Sequence, residues 1–157
     1  MIETLGISNT NTASLLNAQL GSPHIKAAIS LDLGLARGFT PDSLARISVP
    51  VLVLSAEQDS VELPASLESG YLAQYLPPQQ TPFSRISGAT HFSFMQRCKP
   101  HAAELIEQSS PGDGIICQDQ GSRSRADIHQ ELIARITHFL SAALNRPADE
   151  MHSASAR

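Results

Sequence analysis

Short apolar runs alternate along this chain with segments whose apolar residues recur every three or four positions, a pattern that predicts strands separated by helices. Val49 to Ser55 is a Val- and Leu-rich run, suited to a strand buried on both faces of a parallel sheet. Ile25 to Leu31 reads as a strand ending at Asp32, Phe83 to Ile86 as a short strand, and Leu5 to Ser8 as a strand running into a turn. Thr12 to Leu20 reads as a short helix closed by Gly21, a C′ residue free to take positive φ. Thr40 and Pro41 supply an N-cap and a first helical residue. Pro64 opens a helix that sets Leu67, Tyr71, Leu72, Tyr75 and Leu76 on one face, and Pro77-Pro78 stop it. Pro100 to Gln108 is helical, and Ser109 to Ser124 is a Gly-, Ser-, Asp- and Gln-rich loop. The last helix, Arg125 to Leu144, carries Ile128, Leu132, Ile136, Phe139, Leu140 and Ala143 on one stripe. Residues 145–157 are polar and read as a frayed tail.

Strands alternating with helices imply an α/β fold, a parallel sheet with helices on both faces. About four strands are legible, which leaves one sheet edge open from the start. That edge leads us to expect further sequence upstream of Met1. The 157 residues, 41% hydrophobic and 17% charged, read as one globular unit. With no Trp and 4% aromatics, the core must be aliphatic. A net charge of −4 with scattered Lys and Arg gives no electrostatic case for nucleic acid or an anionic membrane. No apolar run approaches the roughly 20 residues of a membrane span. The first residues lack the pattern of a signal peptide, so the chain as written is expected in the cytoplasm.

The chemistry-bearing residues follow strand ends. His91 lies in Gly88-Ala89-Thr90-His91-Phe92-Ser93-Phe94, after a strand and a Gly-containing turn, and suits a general base oriented by a carboxylate. Asp59, at the end of the best strand, is the first candidate for that carboxylate; Asp32, which also ends a strand, is the alternative. Ser8, in Gly6-Ile7-Ser8-Asn9-Thr10 between a strand and a helix, stands where a nucleophile elbow of the form G-x-S-x-G belongs. Gly6 provides the first glycine, and Thr10 replaces the second. The order Ser, Asp, His is that of a hydrolytic triad built beside a parallel sheet.

The two cysteines, Cys98 and Cys117, allow two chemistries. Paired, they close a loop, which needs an oxidising compartment. Unpaired, Cys98-x-x-His101 with Cys117 and His129 offers four zinc ligands, although the second pair is spaced more widely than a common ligand knuckle. His24, His138 and His152 have no partner legible in the sequence, and no Gly-rich phosphate loop follows a strand.

From Gly6 to about Leu140 the chain resembles the carboxy-terminal half of an α/β hydrolase. It is most similar to the dienelactone-hydrolase-like proteins related to platelet-activating-factor acetylhydrolase and to cutinase-like polyester hydrolases. Ser30-Leu31-Asp32 with Arg37-Gly38-Phe39, Val49-Pro50-Val51-Leu52-Val53 leading to Asp59, the His91 segment and Cys98 carry the resemblance. It implies Ser8 as nucleophile, His91 as base and Asp59 as acid, or Asp32 in the acetylhydrolase branch. The backbone N–H of Asn9 becomes one oxyanion donor. Cys98 and Cys117 resemble a cysteine pair of the bacterial members, many of them exported, so a periplasmic or secreted parent is implied. The chain departs from the family at Ile7, where a polar or aromatic residue is usual, at Thr10, and in lacking the family's first half.

The expectation is therefore a truncated α/β-hydrolase domain over residues 1–144 with a flexible tail. Its chemistry would be hydrolysis of small-molecule carboxylic esters through an acyl-enzyme, with no cofactor and no metal. The alternative is a non-catalytic half-domain whose open sheet edge is covered by a complementary chain or by a homodimer partner.

Overall fold

A computed structural model describes residues 22–58, 64–119 and 121–145. They form three strands, β1 (Ala28–Leu31), β2 (Val51–Ala56) and β3 (Phe83–Ile86). Four α-helices accompany them: α1 (Pro41–Ala45), α2 (Ser69–Tyr75), α3 (Ala102–Ser109) and α4 (Arg125–Leu144). The sheet is parallel in the order β1-β2-β3, so the architecture is mixed α/β.

Strand β2 is central and every residue of it is buried. Its side chains alternate between two cores. Val51 and Val53 pack with Ala36, Leu44 of α1, and Leu72 and Leu76 at α2. Leu52 and Leu54 pack on the other face with Ile86 and with Ile128, Leu132, Phe139 and Ala143 of α4. Period two in β2 thus meets period 3.6 in α4, as two-sided burial demands. Full burial of a side chain such as Leu54 contributes about 1.5–3 kcal/mol.

Both ends of β2 depart by one or two residues from the expected run, and β1 starts at Ala28 rather than Ile25. Pro50 explains the start. It has no N–H to donate, but its carbonyl accepts from Ala28 N at 2.9 Å, so the ladder begins there. Upstream, Ile25 N instead closes a turn onto Ser22 O.

The helix expected from Pro64 starts only at Ser69. Residues 64–68 form turns, with Leu67 N bonded to Pro64 O and Gly70 N to Ala65 O. Gly70 is required there, because a Cβ would stand 2.8 Å from Ala65 O. Leu67 is consequently exposed rather than on the buried stripe. By contrast, Thr40 caps α1 by accepting from Ser43 N, β3 spans Phe83–Ile86, and α4 spans Arg125–Leu144, all as expected. The expected strand at Leu5–Ser8, the helix at Thr12–Leu20 and the tail after Asn145 lie outside the described residues, so three strands stand where about four were expected. Among the described residues no helix is long and apolar enough to cross a membrane.

Candidate active site

The carboxyl ends of parallel strands are where an open α/β sheet places its ligands, and here they bring Asp32 and His91 together. Asp32 follows β1 directly. Its backbone turns into the left-handed region, φ 45°, a conformation Asp tolerates better than most residues. That turn ends the β1 ladder at the bond from Asp32 N to Leu54 O and folds the carboxylate back over β2. Its Oδ1 accepts from Ala56 N at 2.8 Å and from Ser55 Oγ at 3.2 Å. Its Oδ2 lies 2.8 Å from His91 Nδ1.

His91 arrives on a turn held from several sides. Gly88 takes φ 70°, and a Cβ there would meet Ser122 Oγ at 2.6 Å, so both backbone and space call for glycine. Glu57, just beyond β2, accepts from Gly88 N at 2.7 Å and from Ser87 Oγ at 3.1 Å. Gln58 N donates to Ala89 O, and Arg123 donates to Ser87 O. His91 then opens a 3-10 turn, His91–Phe94, with Thr90 and Ser93 in a reciprocal capping box. From α4, His129 Nε2 donates to Ser93 O at 3.0 Å.

The ring of His91 is about one third exposed, while the Asp32 side chain is 10% exposed. An ionised carboxylate only accepts hydrogen bonds, so Nδ1 carries the proton toward Asp32. Nε2 is left as the ring atom able to take a proton from a nucleophile. The Phe92 ring stands edge-on to the imidazole, 5.6 Å between centroids, and adds an apolar flank.

Of the residues read from the sequence, Asp32 and His91 are brought together. Asp59, the first candidate acid, lies outside the described residues, as do Ser8 and Asn9. Cys98 and Cys117 form a disulfide, with Cα atoms 5.5 Å apart. Both thiols are thereby consumed, which overturns the zinc alternative through Cys98, His101, Cys117 and His129. Among the described residues no cluster of three or more His, Cys, Asp or Glu is arranged to hold a metal ion.

Just behind the His91 turn sits Arg125, a residue the sequence reading passed over. It is 3% exposed and opens α4. Its guanidinium donates to Gln96 O, Ile116 O and Gln118 O and pairs with Asp119 Oδ1 at 2.8 Å. In the sequence Ser55 marks only the end of the Val49–Ser55 run. The signal for it is a lone hydroxyl inside an apolar run, which a buried strand keeps only where a partner awaits it. A cavity of about 370 Å³ lined by Pro50, Pro78, Pro82 and Phe139 lies at the amino ends of β2 and β3, away from His91.

Comparison of the chain with family models, with curated proteins and with solved structures finds no match.

Proposed function

We propose that this chain carries the acid–base half of a serine esterase site, with Ser8 as nucleophile, His91 as general base and Asp32 as the acid. The observation that carries this reading is the 2.8 Å contact between His91 Nδ1 and Asp32 Oδ2 at the carboxyl ends of the strands. The acid fixes the imidazole tautomer and stabilises the imidazolium formed when Nε2 takes the serine proton. Ser8 then attacks the acyl carbon of a carboxylic ester, and the same proton passes to the leaving alkoxide. The backbone N–H of Asn9 donates to the oxyanion. The substrate class is a small-molecule carboxylic ester, and no step calls for a metal or cofactor.

The test is labelling of the purified chain by a fluorophosphonate probe, with Ser8→Ala, His91→Ala and Asp32→Asn as controls. Labelling that vanishes in the first two variants and collapses in the third supports the triad. An unlabelled chain that unfolds cooperatively sinks it.

Two observations favour the half-domain reading as a second proposal. Among the described residues β1 has no ladder partner on its outer edge, and the buried Oγ of Ser30 on that strand has no hydrogen-bond partner. An unpaired edge of this kind templates pairing with another strand. Sedimentation at rising concentration separates the two: a folded monomer removes the homodimer form of this reading.

A further inference from the structure

Ser55 is the one hydroxyl in the fully buried strand Val51–Ala56, and its own exposure is 0%. A buried hydroxyl is retained at a cost unless a partner satisfies it. Here the partners are two, Asp32 Oδ1 at 3.2 Å and Ala56 O at 3.1 Å, and the hydroxyl has one proton to give. The parallel register runs Ser30 to Val53 and Leu31 to Leu54, so Asp32 falls beside Ser55 at the next step. At that step β1 stops, because Asp32 has turned to φ 45°. The Ala56 N–H donates to Asp32 Oδ1 instead of continuing a main-chain ladder. Ser55 and the Ala56 N–H therefore grip the same carboxylate oxygen, and the other oxygen is turned to His91 Nδ1.

We propose that Ser55 is a positioning residue: its hydroxyl fixes the rotation of the Asp32 carboxylate so that Oδ2, and not Oδ1, meets the imidazole. A carboxylate held by one donor at Oδ1 pivots about that bond, whereas two donors from different directions oppose the pivot. The hydroxyl also adds a hydrogen bond to the charged form of the acid, the form that stabilises an imidazolium. The chemical role of Ser55 rests on the esterase reading; its geometric role does not.

Two variants and two readouts separate these. Ser55→Ala removes the hydroxyl, and Ser55→Cys keeps nearly the same volume while offering only a weak donor. The first readout is the downfield imidazole N–H resonance of His91 in proton NMR, assigned by its loss in His91→Ala. Both Ser55 variants are expected to broaden or lose this resonance, with Ser55→Cys melting close to the unaltered chain. The second readout is the fluorophosphonate labelling rate, expected to fall about tenfold in both, the loss of one hydrogen bond to a charged group. A resonance and rate unchanged in Ser55→Ala would overturn the proposal. Ser55→Cys matching the unaltered chain while Ser55→Ala does not would also overturn it, since packing rather than the hydroxyl would then be at work. If the unaltered chain does not label at all, the esterase reading fails, and the resonance alone still decides the role of Ser55.

Discussion

Glu57 and Gly88 are 31 residues apart and joined by a 2.7 Å hydrogen bond from the Gly88 N–H to Glu57 Oε2. It couples the end of β2 to the turn that delivers His91. That bond, then the one from Ser87, holds the Glu57 carboxyl below its ordinary range. A carboxyl whose folded pKa is depressed contributes stability above its unfolded pKa and loses it as pH falls through the folded value. Glu57→Gln is therefore expected to be less stable than the unaltered chain at neutral pH, with the gap narrowing as the solution is acidified below the ordinary carboxylate range. Urea midpoints measured across that range for both proteins check this, and a gap that widens on acidification contradicts it.

The disulfide between Cys98 and Cys117 closes a segment with a sequence separation of 19. Helix α3 lies inside that segment, and Glu107 accepts from Gly112 N and Gly114 N to finish its end. By loop-closure entropy a crosslink of this span contributes about 3 kcal/mol. Replacing both cysteines by alanine is expected to lower the unfolding free energy by that order in urea titrations. Unaltered protein in excess reductant should lose a similar amount.

Arg125 crosses the neck of the same segment independently of the sulfurs. Its guanidinium reaches Gln96 O on one arm and Ile116 O and Gln118 O on the other. Asp119 accepts from both its Nε and its backbone N. Truncation strands these carbonyl acceptors while Asp119, 37% exposed, keeps access to solvent, so Arg125→Ala is expected to cost about 1–3 kcal/mol. Arg125→Lys should recover little of this, since one ammonium does not span a planar fork's acceptors. A cost near that of an exposed ion pair, below about 1 kcal/mol, would show that the disulfide alone secures the neck.

How much was legible follows from which forces acted locally. The Val51–Ala56 strand and the α4 stripe announce themselves because burial imposes its own period on the sequence. The boundaries of α2 did not, because the contest there was decided by Glu68, whose carboxylate accepts from Ala36 N at 2.6 Å, 32 residues away. Tertiary pairing of that kind overrides a Pro-initiated helical pattern. In the site, His91 was legible from its glycine turn. The choice between Asp32 and Asp59 was not, since in the sequence both follow strand-like apolar runs, and the φ of Asp32 that turns its carboxylate toward β2 leaves no mark on composition. Ser55 and Arg125 leave as little mark, because each is defined by partners that no local pattern reveals: the Asp32 carboxylate 23 residues from Ser55, and the Gln96, Ile116 and Gln118 carbonyls around Arg125.

Asp32 and Asp59 can be told apart by one matched pair of substitutions. If Asp32 orients His91, Asp32→Asn keeps the shape, but the Ala56 N–H and Ser55 Oγ hold its carbonyl at the Oδ1 position, so its NH2 donates to Nδ1 and the imidazole settles in the wrong tautomer for taking a proton at Nε2. The fluorophosphonate labelling rate should then fall on the order of 10⁴-fold, the loss typical of a triad acid changed to its amide. The downfield His91 resonance should disappear with it, whether or not the chain labels. Asp59→Asn should leave both close to the unaltered values. The reverse pattern would make Asp59 the acid. The 2.8 Å contact at Asp32 would then be a structural bond that holds the histidine loop to β1 and plays no part in proton transfer.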